Sequence, residues 1–387
     1  MKVKLGDIAI LINGDRGKNY PSQADIVLDG DVPFVNAGHL NGRNINFSEM
    51  NYISKEKYAQ LNSGKFREGD ILYCLRGSLG KKAVVNSSIQ GAIASSLVII
   101  RPDSMRVDVD YLMFALDSPS IQEQLIKANN GSSQPNLSAA SVRGYEVDLP
   151  DKKIQEDIVD KLSKVRAIID ARQQELQKLD DLIKARFVEM FGEPRINPFG
   201  FEKMMLKDTC KVITGNTPSR AVEDYYGNYV EWIKTDNIVS GILNPTKASE
   251  SLSEKGMRVG RIVDANAILM ACIAGSVTSI GRVCVTNRTV AFNQQINAVV
   301  PEKYNVLFLY TLFQISKDYL VEDINMSLKG ILSKSRLEEK EFIVPPMELQ
   351  NDFANFVEQV DKSKVVIQKA LDETQLLFDS LMQKYFG

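Results

Sequence analysis

Side chains that donate hydrogen bonds cluster in glycine-bearing loops of this 387-residue chain. In the C-terminal half, Thr214, Asn216, Thr217, Ser219 and Arg220 fall within ITGNTPSR (213–220). Lys234, Thr235 and Asn237 follow the tripeptide EWI, and Ser276, Thr278 and Ser279 lie between Gly275 and Gly281. The N-terminal half supplies Arg16, Lys18, Asn36, His39, Asn41, Arg43, Arg76, Ser78, Lys81 and Lys82 as counterparts. Hydroxyl, amide and guanidinium donors of this kind bind phosphate oxygens and match base edges. Gly77, Gly80, Gly275 and Gly281 would let backbone N–H groups come close to a phosphate. The chemistry expected is non-covalent recognition of nucleic acid, carried by the clusters; taken singly, each side chain is also what a solvated loop displays. His39, in FVNAGHL, reads first as a loop-forming residue, and Phe34 and Trp232 as core fillers rather than base-stacking rings.

Bond-making chemistry finds little to work with. A single histidine, His39, excludes a zinc site built on two histidines and leaves a serine nucleophile without a marked partner. GSLGKK (77–82) has its glycines too close together for a phosphate-binding P-loop and no hydroxyl after lysine. No GxGxxG occurs after a strand, and the Asn/Asp-Pro-Pro-Tyr/Phe tetrapeptide of adenine methylases is missing. The fragment Asp151-Lys152-Lys153 is too short to mark a nuclease. Cys74, Cys210, Cys272 and Cys284 are scattered without CxxC spacing and read as buried hydrophobes of a reducing compartment. No catalysis and no bound cofactor are expected of this chain.

A net charge of −2 and a pI near 5.8 argue, alone, against a nucleic-acid binder. Net charge sums over the whole surface, however, and binding depends on the face that meets phosphate. With no apolar run of about 18 residues and no signal-peptide pattern in MKVKLGDIAI, the expected place is the cytoplasm, away from membranes.

The elements that must position the loops are written twice. LGDIAILING (5–14) matches LKDTCKVITG (206–215). PFVNAGHLNG (33–42) matches EWIKTDNIVSG (231–241), with Phe34 over Trp232. GDILYCLRGSLGKKAVV (69–85) matches NAILMACIAGSVTSIGRVCV (266–285), LPDKKIQEDI (149–158) matches VPPMELQNDF (344–353), and FVEMFG (187–192) matches MQKYFG (382–387). Five blocks in one order mean an internal duplication. Each copy opens with strand-like runs such as ASSLVIIRP (94–102) and INAVVPE (296–302), and with short helical runs at 109–118 and 304–316. That is an α+β domain.

A long helix follows each domain. Apolar positions step by four and three through Ile158, Leu162, Val165, Ile169, Leu176, Leu179 and Ile183, and again through Phe353, Val357, Val360, Ile367, Leu371, Phe378 and Leu381. This is a heptad seam, with polar breaks at Arg172, Lys364 and Thr374. Prolines at 150 and 345–346 precede the helices, where their missing N–H costs little. The fold expected is α+β: two similar domains, 1–148 and 204–343, separated by long helices at 149–192 and 344–387 with a linker at 193–203. Pairing of the helices in an antiparallel coiled coil gives a pseudo-twofold molecule; packing of each helix on its own domain is the alternative. Two unlike heads on a stiff spacer suit a bipartite, asymmetric DNA site.

ITGNTPSR, EWIKTDNI, GSVTSIGRV (275–283), FNQQINAVV (292–300) and GSSQPNLS (131–138), together with the turn into each long helix, resemble the specificity subunits of type I restriction-modification systems. The resemblance spans essentially the whole chain. It implies that the α+β parts are target-recognition domains for double-stranded DNA and adds Gln134 to the DNA-facing set. It further implies that the helices dock two methyltransferase subunits and that two motor-nuclease subunits join them. Those partners would use S-adenosylmethionine, ATP and Mg. The chain departs from the family pattern at LINGDRGKNYPS (11–22), a longer loop where the family has a GNTPS-like one. It departs again at SLKGILSK (327–334), which lacks a counterpart of Gln134. The competing class is a non-catalytic scaffold whose heads bind other ligands.

Overall fold

Strand Leu97–Pro102 organises the first domain. Its side chains alternate, as a strand's must. Val98 and Ile100 enter a core with Leu5, Ile8, Tyr111 and Leu112, whereas Leu97 and Ile99 enter another with Val35, Phe66, Leu72 and Cys74. The computed structural model describes the chain apart from residues 87, 130–134, 275 and 325–329. It divides into two compact units, one of Met1–Ala171 with Ala370–Gly387 and the other of Arg172–Lys369.

In the first unit Leu97–Pro102 lies between Ala9–Asn13 and Ile71–Cys74, and Lys82–Val84 flanks the latter, all antiparallel. The second sheet runs Tyr52–Ile53, Val32–Val35, Gly91–Ile93, Lys65–Phe66, with one parallel pair, Phe34 beside Ala92. Lys2–Lys4 pairs with Glu146–Asp148 and brings the chain to the first long helix. The second unit repeats this strand order. Cys210–Thr214, Ile296–Pro301, Ile268–Ala271 and Val283–Val285 form one sheet. Ser251–Leu252, Tyr226–Ile233, Val290–Phe292 and Ile262–Val263 form the other, and Trp232 lies parallel to Ala291 where Phe34 met Ala92. The duplication read from sequence is therefore a duplication of sheets. The short helical runs appear at Val109–Ala115 and Val306–Ile315, capped by Asp108 and Asn305.

The long helices are Lys152–Phe191 and Met347–Phe386, 40 residues each, or roughly 60 Å at 1.5 Å per residue. Of the fourteen seam positions, Ile158, Leu162, Ile169, Ile183, Phe353, Val357, Val360 and Phe378 are buried. Val165, Leu176, Leu179, Ile367, Leu371 and Leu381 are half-buried. Within the second unit the helices meet at Asp180–Lys364, Arg186–Phe356 and Phe187–Phe353. One number rises as the other falls, the antiparallel sense. Within the first unit Lys161 feels Tyr385 and the Arg166 guanidinium covers the Phe378 ring at 4.5 Å, the same sense.

The helices also join the domain cores, so the two packing alternatives are not exclusive. Tyr111 and Phe114 of the first domain meet Phe386 and Phe378 of the second long helix. Phe308 of the second domain meets Phe187 and Phe191 of the first long helix. Phe187 and Phe191 are fully buried, although the stepping pattern stops at Ile183. Lys364, a polar break in the seam, faces Asp180 across the helix pair at 2.7 Å. A half-buried ionic contact of this kind, with Asp361 also 3.7 Å from the lysine, specifies alignment more than it adds stability.

Candidate nucleic-acid interface

The candidate residues separate into those already engaged inside the fold and those facing solvent. Asn36 caps a single turn, its Oδ1 accepting the Gly38 N–H at 2.8 Å. His39 Nδ1 accepts the Asn36 N–H at 3.1 Å, so the ring proton sits on Nε2, 3.1 Å from the Glu49 carbonyl. Burial of the imidazole lowers its pKa and keeps it neutral. In the second domain Asn237 Oδ1 accepts the Lys234 N–H at 3.0 Å from the same position, and its Nδ2 donates to Thr246 and the Lys247 carbonyl. Histidine and asparagine thus do one structural job in the two copies. Lys81 and Arg282 hold these turns from outside, donating to the Ala37 carbonyl at 3.0 Å and the Thr235 carbonyl at 3.2 Å.

Two basic candidates turn away from the loops. Arg43 lies over Phe114 at 4.7 Å and pairs with Asp110, while Lys82 is buried against Asp117. Both side chains are thus engaged by acids of the domain's own helical layer. In the second domain Thr214 donates to the buried Asn297, and Thr217 to Gln294. Asn216 spends its amide on the Val259 carbonyl and its oxygen on the Arg261 N–H. Ser276 shares hydroxyl hydrogen bonds of 3.0 Å with Thr278 and Ser279. Gln134 and Gly275 lie outside the described residues.

What remains accessible differs between the copies. In the first, Arg16 and Arg76 are exposed and line one shallow cleft with Gly17, Tyr20 and Ser95. Asp15 also lines it, but its carboxylate oxygens accept the N–H groups of Arg16 at 2.7 Å and Asn62 at 2.6 Å. The two guanidinium groups therefore have no acidic partner among the described residues. Lys18 lies exposed in the adjoining turn, and Asn41 and Ser78 are exposed further along the chain.

In the second copy Ser219 is exposed, and Arg220 and Lys234 share one acid, Glu250. Hydrogen bonds from Lys234 and Arg220 hold the Glu250 carboxyl below its ordinary range. Glu250, Arg282 and Tyr20 are not among the candidates that the sequence offers, and Glu250 stands 30 residues from Arg220 along the chain.

Among the described residues, no three or more His, Cys, Asp or Glu side chains are placed to hold a metal ion. All four cysteines are buried and unpaired, and burial pushes the Cys210, Cys272 and Cys284 thiols up to about 12, which disfavours the thiolate. No helix among the described residues is long and apolar enough to cross a membrane.

The family model of the type I restriction modification DNA specificity domain matches the chain twice, at residues 1–181 and 198–374. The chain belongs to the type I restriction-modification specificity subunits. This specificity subunit is similar to the HindI specificity subunit of Haemophilus influenzae, with 22% identity over 416 residues, 87% of this chain and 89% of that one. It is likewise similar to the MjaIX specificity subunit of Methanocaldococcus jannaschii, 22% identical over 92% of this chain and 86% of the relative. Its fold is similar to the S subunit from M. genitalium, at a TM-score of 0.58 and 14% identity over 100% of this chain and 96% of that one. A chain from a structural study of complex assembly in the type I system is similar too, at a TM-score of 0.54 and 17% identity over 100% and 97% of the two chains.

Proposed function

We propose that this specificity subunit reads a bipartite, asymmetric target in double-stranded DNA, one half-site per domain, and carries no catalytic group of its own. The observation that carries this reading is that one strand order bears different polar groups on its loops in the two copies. One sheet topology presents Arg16 and Arg76, without an acidic partner among the described residues, in the first domain, and Arg220 and Lys234 on Glu250 in the second. Phosphate contacts position a protein on DNA and base-edge contacts specify sequence. Two heads that differ in such contacts select two different half-sites.

The long helices set the gap between half-sites and dock two methyltransferase subunits. Exposed Ile168, Leu182, Val365, Val366, Leu376 and Leu377 on their outer faces support the docking role. Those partners supply S-adenosylmethionine-dependent methylation, and two motor-nuclease subunits supply ATP- and Mg-dependent restriction, in the cytoplasm. Selection from randomised duplex DNA by the chain with its methyltransferase partner tests the reading. A gapped, asymmetric consensus is expected; recovery of none would favour a scaffold whose heads bind other ligands.

A further inference from the structure

We infer that Glu250 is a positioning residue that holds Arg220 as the reader of one guanine in the second domain's half-site. The inference rests on the reading of that domain as a DNA-recognition head. Arg220 Nη2 donates to Glu250 Oε2 at 2.5 Å, and Lys234 Nζ to Glu250 Oε1 at 2.5 Å. The guanidinium lies 4.3 Å from the centre of the Tyr226 ring and 5.2 Å from that of Trp232, and these rings meet edge to face. The loop carrying Arg220 is tied to the same rings: Tyr226 Oη donates to the Pro218 carbonyl at 2.6 Å, and Trp232 Nε1 to the Asn216 carbonyl at 3.3 Å. Glu250 is itself anchored, its carbonyl accepting the Trp232 N–H at 3.0 Å.

A half-exposed arginine ordinarily loses much rotamer freedom on binding. Here carboxylate, rings and loop hold it before any ligand arrives. One Nη2 hydrogen is used, which leaves the other Nη2 hydrogen and both on Nη1 for a fork onto O6 and N7 of guanine, the commonest specific arginine contact. A carboxylate beside two cations also weakens their draw on a phosphate while leaving a neutral acceptor edge well served. The first domain lacks the device. There the Phe34 N–H bonds the Asn51 carbonyl at 2.7 Å, as Trp232 bonds Glu250, so a neutral side chain stands at the equivalent place.

The test is selection from randomised duplex DNA by the full chain in complex with its methyltransferase subunits, comparing wild type with R220A, R220K, E250Q and the R220A/E250Q pair. E250Q is expected to lower the preference for guanine at one base pair of one half-site by roughly ten-fold, and R220A and R220K by as much or more. E250Q should add nothing in the R220A background. The other half-site, unchanged, reports that fold and assembly are intact. Retention of the wild-type preference by E250Q, or a uniform loss of affinity across all sequences, would overturn the inference alone. A wild-type complex that selects no consensus would overturn it together with the proposed function.

Discussion

Gln155 Oε1 accepts the backbone N–H of Asp108 at 2.8 Å, and its Nε2 donates to the carbonyls of Pro150 and Arg106 at 2.8 and 3.0 Å. Gln350 does the same in the second copy, taking the Asn305 N–H at 2.9 Å and donating to Pro345 at 2.8 Å and Lys303 at 3.5 Å. One buried amide thus satisfies the start of a long helix and the cap of a domain helix together. Q155A strands buried backbone groups and should cost about 3 kcal/mol, with Q350A similar. Urea unfolding of each variant checks this, and a change below about 0.5 kcal/mol would contradict it.

Asp361 lies half-buried beside Lys364, with Asp180 facing the same ammonium. Burial raises its carboxyl pKa, opposed by Lys364 and aided by Asp180. Between the ordinary carboxylate value and the raised one, the folded chain binds more protons than the unfolded chain. This site's contribution to stability therefore falls as pH rises through that window and is constant above it. D361N should remove that slope, so its stability relative to wild type should improve as pH rises through the window. Parallel urea titrations across mildly acidic pH measure the difference.

The Arg16 and Arg76 cleft is read as a phosphate site. The double variant R16A/R76A should lessen the slope of log affinity against log salt by about 1.8. The base preferences of the second domain's half-site should stay as they are. Affinity measured over a salt series decides, and an unchanged slope would remove this cleft from the interface.

Helix length is read as the ruler between half-sites. Insertion of one heptad into both helices, after Leu176 and after Ile367, adds about 10.5 Å of rise, equal to about three base pairs at 3.4 Å each. Methylation-site mapping should find the gap longer by that amount and both half-sites unaltered. Retention of the old gap would show that something other than helix length sets it.

Sequence alone determined the duplication, the α+β character of each copy, the two long helices and the side they bury. Such features are recorded in neighbouring residues: a seam repeats every three or four positions, a strand every two, and a repeat shows in aligned blocks. Tertiary structure alone decided which polar loop residues stay free for a ligand. Lys82 is claimed by Asp117, 35 residues on, Arg43 by Asp110, 67 residues on, and Thr214 by Asn297, 83 residues on. It likewise showed that Glu250 stands beside Arg220 and that Asn51 takes its place in the other copy. A loop donor in sequence is a donor without an address, because the acceptor that uses it is brought up by folding from a distant part of the chain.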